Sequence, residues 1–276
     1  MGMSVNTNQG SLLALQTLNQ TNMLLGTVQN QINTGLKVSS AKDNGAVFAI
    51  AQNLRSDVAG LSAAQDSLDR AVSSVDIALA AGEAIGDLLL EMKAKVTAAS
   101  DASLDDASRN AMIADYKELE LQIGTITANA SFNGTNLIDA GGTDVVTAII
   151  DTKGASTISV AHADISAGAS GLNVTTHSSI TDATTAKAAA LAIDASVKVL
   201  SASMATLGAA SNRFAISKDF VSKLSDSIEV GIGNLVDADM AKASANLQAL
   251  QVKQQLGLQA LSIANQAPGA VMSLFR

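Results

Sequence analysis

Apolar residues recur at helical intervals along nearly the whole chain. In residues 5–34 the row is Leu12, Leu15, Leu18, Leu25, Val28 and Ile32, and Leu18, Leu25 and Ile32 lie seven apart. That spacing predicts an amphipathic helix, which Asn33-Thr34-Gly35 ends. From Asp43 to about Ser100 the pattern tightens to Leu54, Val58, Leu61, Gln65, Leu68, Val72, Val75 and Leu79, a strict 4-3-4-3 row. Over ~55 residues such a seam predicts a helix of roughly 80 Å in coiled-coil packing. The same phase continues through Gly82, Gly86, Leu89, Lys93 and Val96, where the seam should weaken. A second stripe, Ile77, Ala81, Ala84, Leu88 and Met92, covers part of that span.

Ser103-Leu104-Asp105-Asp106 reads as the start of the next helix, with acids at the positive end of its dipole. Its row is Met112, Tyr116, Leu119, Ile123, Ile126 and Ala130, and Asn133-Gly134 stops it. The pattern then changes. Val145–Ile150 and Thr157–Val160 are β-branched runs flanking Asp151-Thr152-Lys153-Gly154, which predicts a hairpin. After Asp182 one helical phase holds through Ile193, Val197, Leu200, Met204, Leu207, Phe214, Val221 and Ile228. A last amphipathic helix follows Asp237-Ala238-Asp239 and carries Leu247, Leu250, Leu258 and Leu261, with Val271 and Leu274 near the end. Pro268 is expected to kink it.

The predicted fold is mainly α: a long antiparallel coiled-coil rod with paired terminal helices and a small β-hairpin insertion. The segments are 1–42, a terminal helix; 43–139, rod helices; 140–181, a short β-rich insertion; 182–236, the returning rod helix; and 237–276, the second terminal helix. A chain that goes out and comes back brings its ends together.

Charge sharpens this reading. Residues 1–42 and 240–276 contain no Asp or Glu, so all 25 acids lie between. Both ends are polar through Asn and Gln instead. This predicts that they share a crowded place where repeated like charge is costly. Ordering ~35 residues at either end costs on the order of 1–2 kcal/mol each. Each buried Leu, Ile or Val returns only ~1.5–3 kcal/mol, and each terminal stripe has fewer than ten. The ends therefore need neighbouring copies to cover them, and their folding should be coupled to polymerisation.

Composition excludes most chemistry. The chain lacks Cys and has only two His, which argues against disulfide, thiolate and His-based sites. A net charge of −8 makes nucleic acid a poor partner. No run approaches 18 consecutive apolar residues, so no membrane insertion is expected. Gly231-Ile232-Gly233 lacks the third glycine and the preceding strand of a dinucleotide loop. Asp237 and Asp239 lack the other ligands of a calcium loop and read as a joint between rod and terminal helix. No enzyme activity and no cofactor are expected.

Several segments together resemble bacterial flagellin. At the N-terminal end they are Val5–Asn8 and Ile32–Ala46 (INTGLKVSSAKDNGA), continuing through the heptad helix to Leu61. In mid-chain the match is Phe132–Ile138 (FNGTNLI). Near the C-terminal end it comprises Asn212-Arg213-Phe214, Asp237–Ala241 (DADMA) and Ile263–Arg276 (IANQAPGAVMSLFR). The likeness spans roughly residues 4–140 and 185–276.

It implies a short flagellin without large outer domains, a secreted subunit that polymerises with itself into the flagellar filament for motility. The terminal helices would form the inner tube and the heptad helices the layer around it. The family's subunits travel unfolded through a type III export channel, which implies export machinery, an export chaperone and a filament cap as partners. The Ser/Thr-rich stretch 166–185 is a candidate for O-linked sugar. Other readings are a hook–filament junction protein, a minor flagellin paralogue, or, from a different class, a cytoplasmic helical-hairpin signalling module. Such modules lack acid-free ends and a β tip.

Many flagellins engage a vertebrate innate receptor through the first long helix, at an arginine-containing segment just before a Glu. The matching stretch here is Leu88-Leu89-Leu90-Glu91, without arginine. Purified monomer should therefore activate receptor-reporter cells weakly, and a response equal to that of an arginine-bearing flagellin refutes this.

Overall fold

The computed structural model describes residues 7–168, 171–174 and 180–272, with the side chains of 267–272 excepted. Five helices carry the fold: α1 (Gln9–Thr34), α2 (Gly45–Ala99), α3 (Asp106–Asn129), α4 (Ala183–Val236) and α5 (Met240–Met272). Four short strands, β1 (Ser131–Phe132), β2 (Thr135–Asn136), β3 (Val145–Ile149) and β4 (Thr157–Ala161), lie between α3 and α4. The chain divides into two compact units, residues 57–226 and residues 1–56 with 227–276.

In the unit 57–226, α2 and α4 run antiparallel. Lys93 pairs with Asp194, and Asp69 with Lys218, each at 2.5 Å. Ser211 Oγ reaches Asp76, and Leu200 packs at Gly86. Each step forward along α2 is matched by a step back along α4, so there is no slip in register. These ion pairs are about half exposed and fix alignment more than they stabilise.

Burial explains why the helices meet. Leu61, Leu68, Val75, Leu89 and Val96 are buried at seven-residue intervals, with Gly82 in the same row. On α4 the matching row is Ile193, Leu200, Leu207, Phe214 and Val221. The second position of each heptad differs from the expected one. It holds Ala64, Ala71 and Ala78, then Ile85, Met92 and Ala99. On α4 it holds Ala189, Ser196 and Ala210. The predicted Val58, Val72, Leu79, Val197 and Met204 are only half-buried.

The buried set therefore lies one residue to the side, mostly on small side chains that let the two backbones approach, with Ile85 and Met92 the large members. α3 shows the same offset. Arg109, Ile113, Tyr116, Ile123 and Thr127 are buried, while Leu119 and Ile126 are half-buried. Leu54 and Ile228, both in the other unit, are also half-buried.

Caps end the helices where the acids stand. Asp105 accepts from Ser108 N at 3.1 Å and opens α3. Asp182 accepts from Thr185 N at 2.8 Å and precedes α4. Asp101 accepts from both the N–H and the hydroxyl of Ser103 in the α2–α3 connection. These bonds to the ionised form hold the Asp101, Asp105 and Asp182 carboxyls below the usual value.

The buried Arg109 guanidinium donates to the carbonyls of Ala99, Asp101 and Leu104 at 3.0–3.1 Å and to Asp106 at 2.9 Å. One side chain thus closes α2, shapes the turn and opens α3. Tyr116 Oη donates to Val174 O at 2.8 Å, tying α3 to the segment beyond the sheet.

The expected hairpin is present. β3 and β4 pair antiparallel from Val145↔Ala161 to Ile149↔Thr157. Asp151 accepts from Ala155 N and Ser156 N across the turn, where Gly154 takes φ 71°. Val146, Ala148 and Val160 face inward. Ile149 N donates to Ser67 Oγ at 3.2 Å, seating the hairpin on α2.

A second, smaller hairpin follows α3, where the sequence pattern predicts only a helix stop. Ser131↔Asn136 and Phe132↔Thr135 pair around Asn133-Gly134, whose φ values of 51° and 82° form a primed hairpin turn. α5 continues past Pro268 to Met272. α4 is long and apolar enough on average to cross a bilayer. Here its buried row packs along α2.

Replacing Arg109 by Ala removes the donors to the Ala99 carbonyl, which ends α2, and to the Asp101 and Leu104 carbonyls of the connection. It should lower the unfolding free energy of this unit by about 1–3 kcal/mol. Arg109→Lys should restore little, because an ammonium cannot reproduce the fork. Denaturant unfolding followed by circular dichroism measures both.

Candidate assembly surface

The surface is built by α1 and α5, which pack against each other in the unit that holds both chain ends. α1 begins at Asn8, whose Oδ1 accepts from Ser11 N at 3.1 Å while its Nδ2 donates to Ala264 O at 2.6 Å. One side chain therefore caps its own helix and reaches the partner helix. Ser11 Oγ donates to Asn265 Oδ1 at 2.8 Å, and Gln254 Nε2 to Asn22 Oδ1 at 2.8 Å. The pair is antiparallel. Asn and Gln provide its polar cross-links, and α1 carries no charged residue.

At the other end the pair is clasped by backbone. Gly35, at φ 72°, closes α1. Lys37 N donates to Val236 O at 2.6 Å and Ala238 N to Gly35 O at 2.9 Å, around a bridge between Leu36 and Asp237. Asp239 accepts from Lys242 N at 3.0 Å at the start of α5. Both aspartates thus shape the joint, as the sequence implied. The Asp43 carboxylate accepts from the N–H and hydroxyl of both Ser39 and Ser40, at 2.9–3.2 Å. Those bonds hold its pKa below the usual 3.8. Asn44 Oδ1 accepts from Val47 N at 3.1 Å at the start of α2.

The core between α1 and α5 is thin. On α1 only Leu18 and Thr21 are buried; on the described part of α5, only Ala243. Leu25, Val28 and Ile32 of α1 are half-buried on the seam, as are Leu247, Leu250 and Leu261 of α5. Gly257 leaves room for Leu18, whose Cδ1 lies 3.3 Å from where a Cβ would stand.

Leu12, Leu15 and Leu258 point outward instead. Sequence reasoning missed others beside them: Leu13, Met23, Leu24, Val252, Leu256 and Ile263 are exposed, Met23 by 68% and Ile263 by 70%. The available signal was adjacency. Leu12-Leu13 and Met23-Leu24-Leu25 place apolar residues on neighbouring faces, more than a single seam needs. The Val271 side chain and Leu274 lie outside the described residues.

A helix pair that leaves this many large apolar side chains in water is an incomplete structure. The model of the bacterial flagellin N-terminal helical region matches residues 5–143, and that of the C-terminal helical region matches residues 191–275. The chain belongs to the bacterial flagellin family.

Flagellin FljK of Caulobacter vibrioides is 48% identical over 279 residues, covering 99% of this chain and 98% of its own. A flagellin of Brucella melitensis is 37% identical over 282 residues, covering 99% of both. A solved structure described as a putative flagellar hook-associated protein from Vibrio parahaemolyticus superposes with a TM-score of 0.59. It covers 71% of this chain and 100% of its own at 15% identity, a likeness of fold alone. Full-length relatives of equal length make this a short-form flagellin, a structural filament subunit and not an enzyme.

The pH response of this flagellin follows from its capping aspartates. Asp43, Asp101, Asp105 and Asp182 have folded pKa values below the unfolded one. Their contribution is complete above the unfolded value and is lost as pH falls through the folded value. Protonation also leaves 17 Lys and Arg uncompensated. Melting temperature should be flat from pH 7 to about 5 and fall below about 4. Filaments should dissociate in the same acid range; light scattering unchanged at pH 2–3 refutes this.

Proposed function

We propose that α1 and α5 form the inner tube of the flagellar filament, and that the pair becomes fully ordered only when other copies cover it. In this reading residues 1–42 and 237–276 are the inner-tube segments. Residues 43–139 and 182–236 form the surrounding rod layer, and 140–181 is the variable outer insertion. One observation carries the reading: the terminal pair buries very few side chains while, among the described residues, ten large apolar residues of α1 and α5 stand exposed. Burying each of those on assembly would add ~1.5–3 kcal/mol. That is enough to convert a marginal pair into a stable one.

Thin ends of low charge also suit transport in the unfolded state. The subunit would leave the cell through the flagellar type III export machinery, escorted by an export chaperone. It would fold beneath the filament cap and reside in the extracellular filament. These partners follow from family membership together with the marginal core of the ends.

Two experiments test the proposal. Leu12→Ser with Leu256→Ser removes outward side chains that stand more than half exposed in the isolated subunit. The monomer should melt at the wild-type temperature yet fail to polymerise on seeding, as read by sedimentation. Deleting residues 1–35 or 243–276 should leave a helical, soluble core that does not polymerise. Normal filaments from any of these variants refute the reading.

A further inference from the structure

Two glycines four residues apart, Gly82 and Gly86, lie where α2 faces α4. A methyl group built on Gly86 would meet Leu200 Cδ2 at 3.5 Å, and one built on Gly82 would collide with Met204 Sδ. The two absent side chains thus form a socket with two notches. Leu200 and Met204, also four residues apart, fill it from α4. Leu200 is buried, whereas Met204 is half-buried, so its sulfur packs inside the helix pair while solvent still reaches the side chain.

We infer that Met204 is a sulfoxidation site, and that oxidation there loosens the α2–α4 pair. The co-reactant is hydrogen peroxide. The thioether sulfur attacks one peroxide oxygen, an S–O bond forms, and the O–O bond breaks. The sulfur loses two electrons, and the departing hydroxide takes the proton of the transferred oxygen and leaves as water. The product carries a polar oxygen on a side chain that had been apolar. Within the socket that oxygen faces helix backbone whose N–H groups are already committed to helix hydrogen bonds. Turned outward, it draws the sulfur from its notch and leaves a void beside Gly82. Either outcome costs stability.

The other methionines provide internal controls. Met23 and Met240 are exposed, and Met92 is wholly buried in the same helix pair. Met112, also in residues 57–226, is half-buried but meets no glycine, so among the described residues Met204 alone combines solvent access with a seat in a glycine notch.

The test exposes the full chain to hydrogen peroxide, measures sulfoxide at each methionine by peptide mass spectrometry, and follows melting by circular dichroism. Met23 and Met240 should oxidise first without moving the midpoint of residues 57–226. Met204 should follow, and the midpoint should fall with its sulfoxide fraction by about 2–4 °C, the shift expected for one lost contact in a unit of this size. Met92 should resist until unfolding. Met204→Leu should hold its midpoint under the same treatment, and methionine sulfoxide reductases should restore the oxidised wild type. Gly82→Ala, whose methyl drives the thioether outward, should oxidise at Met204 several-fold faster. The inference is overturned if Met204 oxidises no faster than Met92, or if complete Met204 oxidation leaves the midpoint unchanged. It is equally overturned if Met204→Leu loses as much as the wild type, or if Gly82→Ala leaves the rate unaltered.

Discussion

The close approach of two long helices is the constraint from which the larger unit follows. Large residues at seven-residue intervals of α2 and α4, interrupted by Gly82, supply much of the apolar burial. Ala and Ser at most of the alternate positions, with Gly82 and Gly86, set how near the axes come. Each small side chain buries little area. Together they bring the Leu, Val and Phe side chains into contact along the seam, where dispersion and exclusion of water act on many atoms at once. A larger residue at Ala71, Ala78 or Ser196 would separate the helices and weaken its neighbours as well. The unmoving register of the ion pairs follows from the same spacing, because a slip of one residue would bring large side chains against large.

Much of this was legible in the sequence, and the part that was not has a physical cause. The seven-residue repeat at Leu61, Leu68, Val75, Ile193, Leu200, Leu207 and Phe214 placed the seam. The second position of each heptad went to the largest apolar residue nearby, so Val72 was preferred to Ala71 and Val197 to Ser196. Transfer energy ranks side chains by size, and a close helix pair selects some positions for smallness. Gly82 and Gly86 were read as a weak stretch for the same reason, although the mass that fills the gap belongs to α4.

Arg109 was invisible because its partners are backbone carbonyls at a helix end, which no side-chain pattern records. The β1–β2 hairpin lay hidden in Asn133-Gly134, two residues that serve equally as a stop and as a turn. At the ends of the chain, the missing acids and the seven-residue spacing of Leu18, Leu25 and Ile32 located the pair. The outward Leu13 and Leu24 do not stand out in the pattern, because amphipathic spacing marks one face and each helix presents two.

The terminal pair is also fastened unevenly. Its hydrogen-bonded bridge lies at one end, between residues 35–38 and 236–238, and is made of main-chain groups. At the other end the side chains of Asn8 and Ser11 cross to α5. Such a zipper has a fixed origin, and order spreads away from it. Fraying begins at the loose end, so the two ends of one helix pair differ in lifetime even where their sequences are equally apolar.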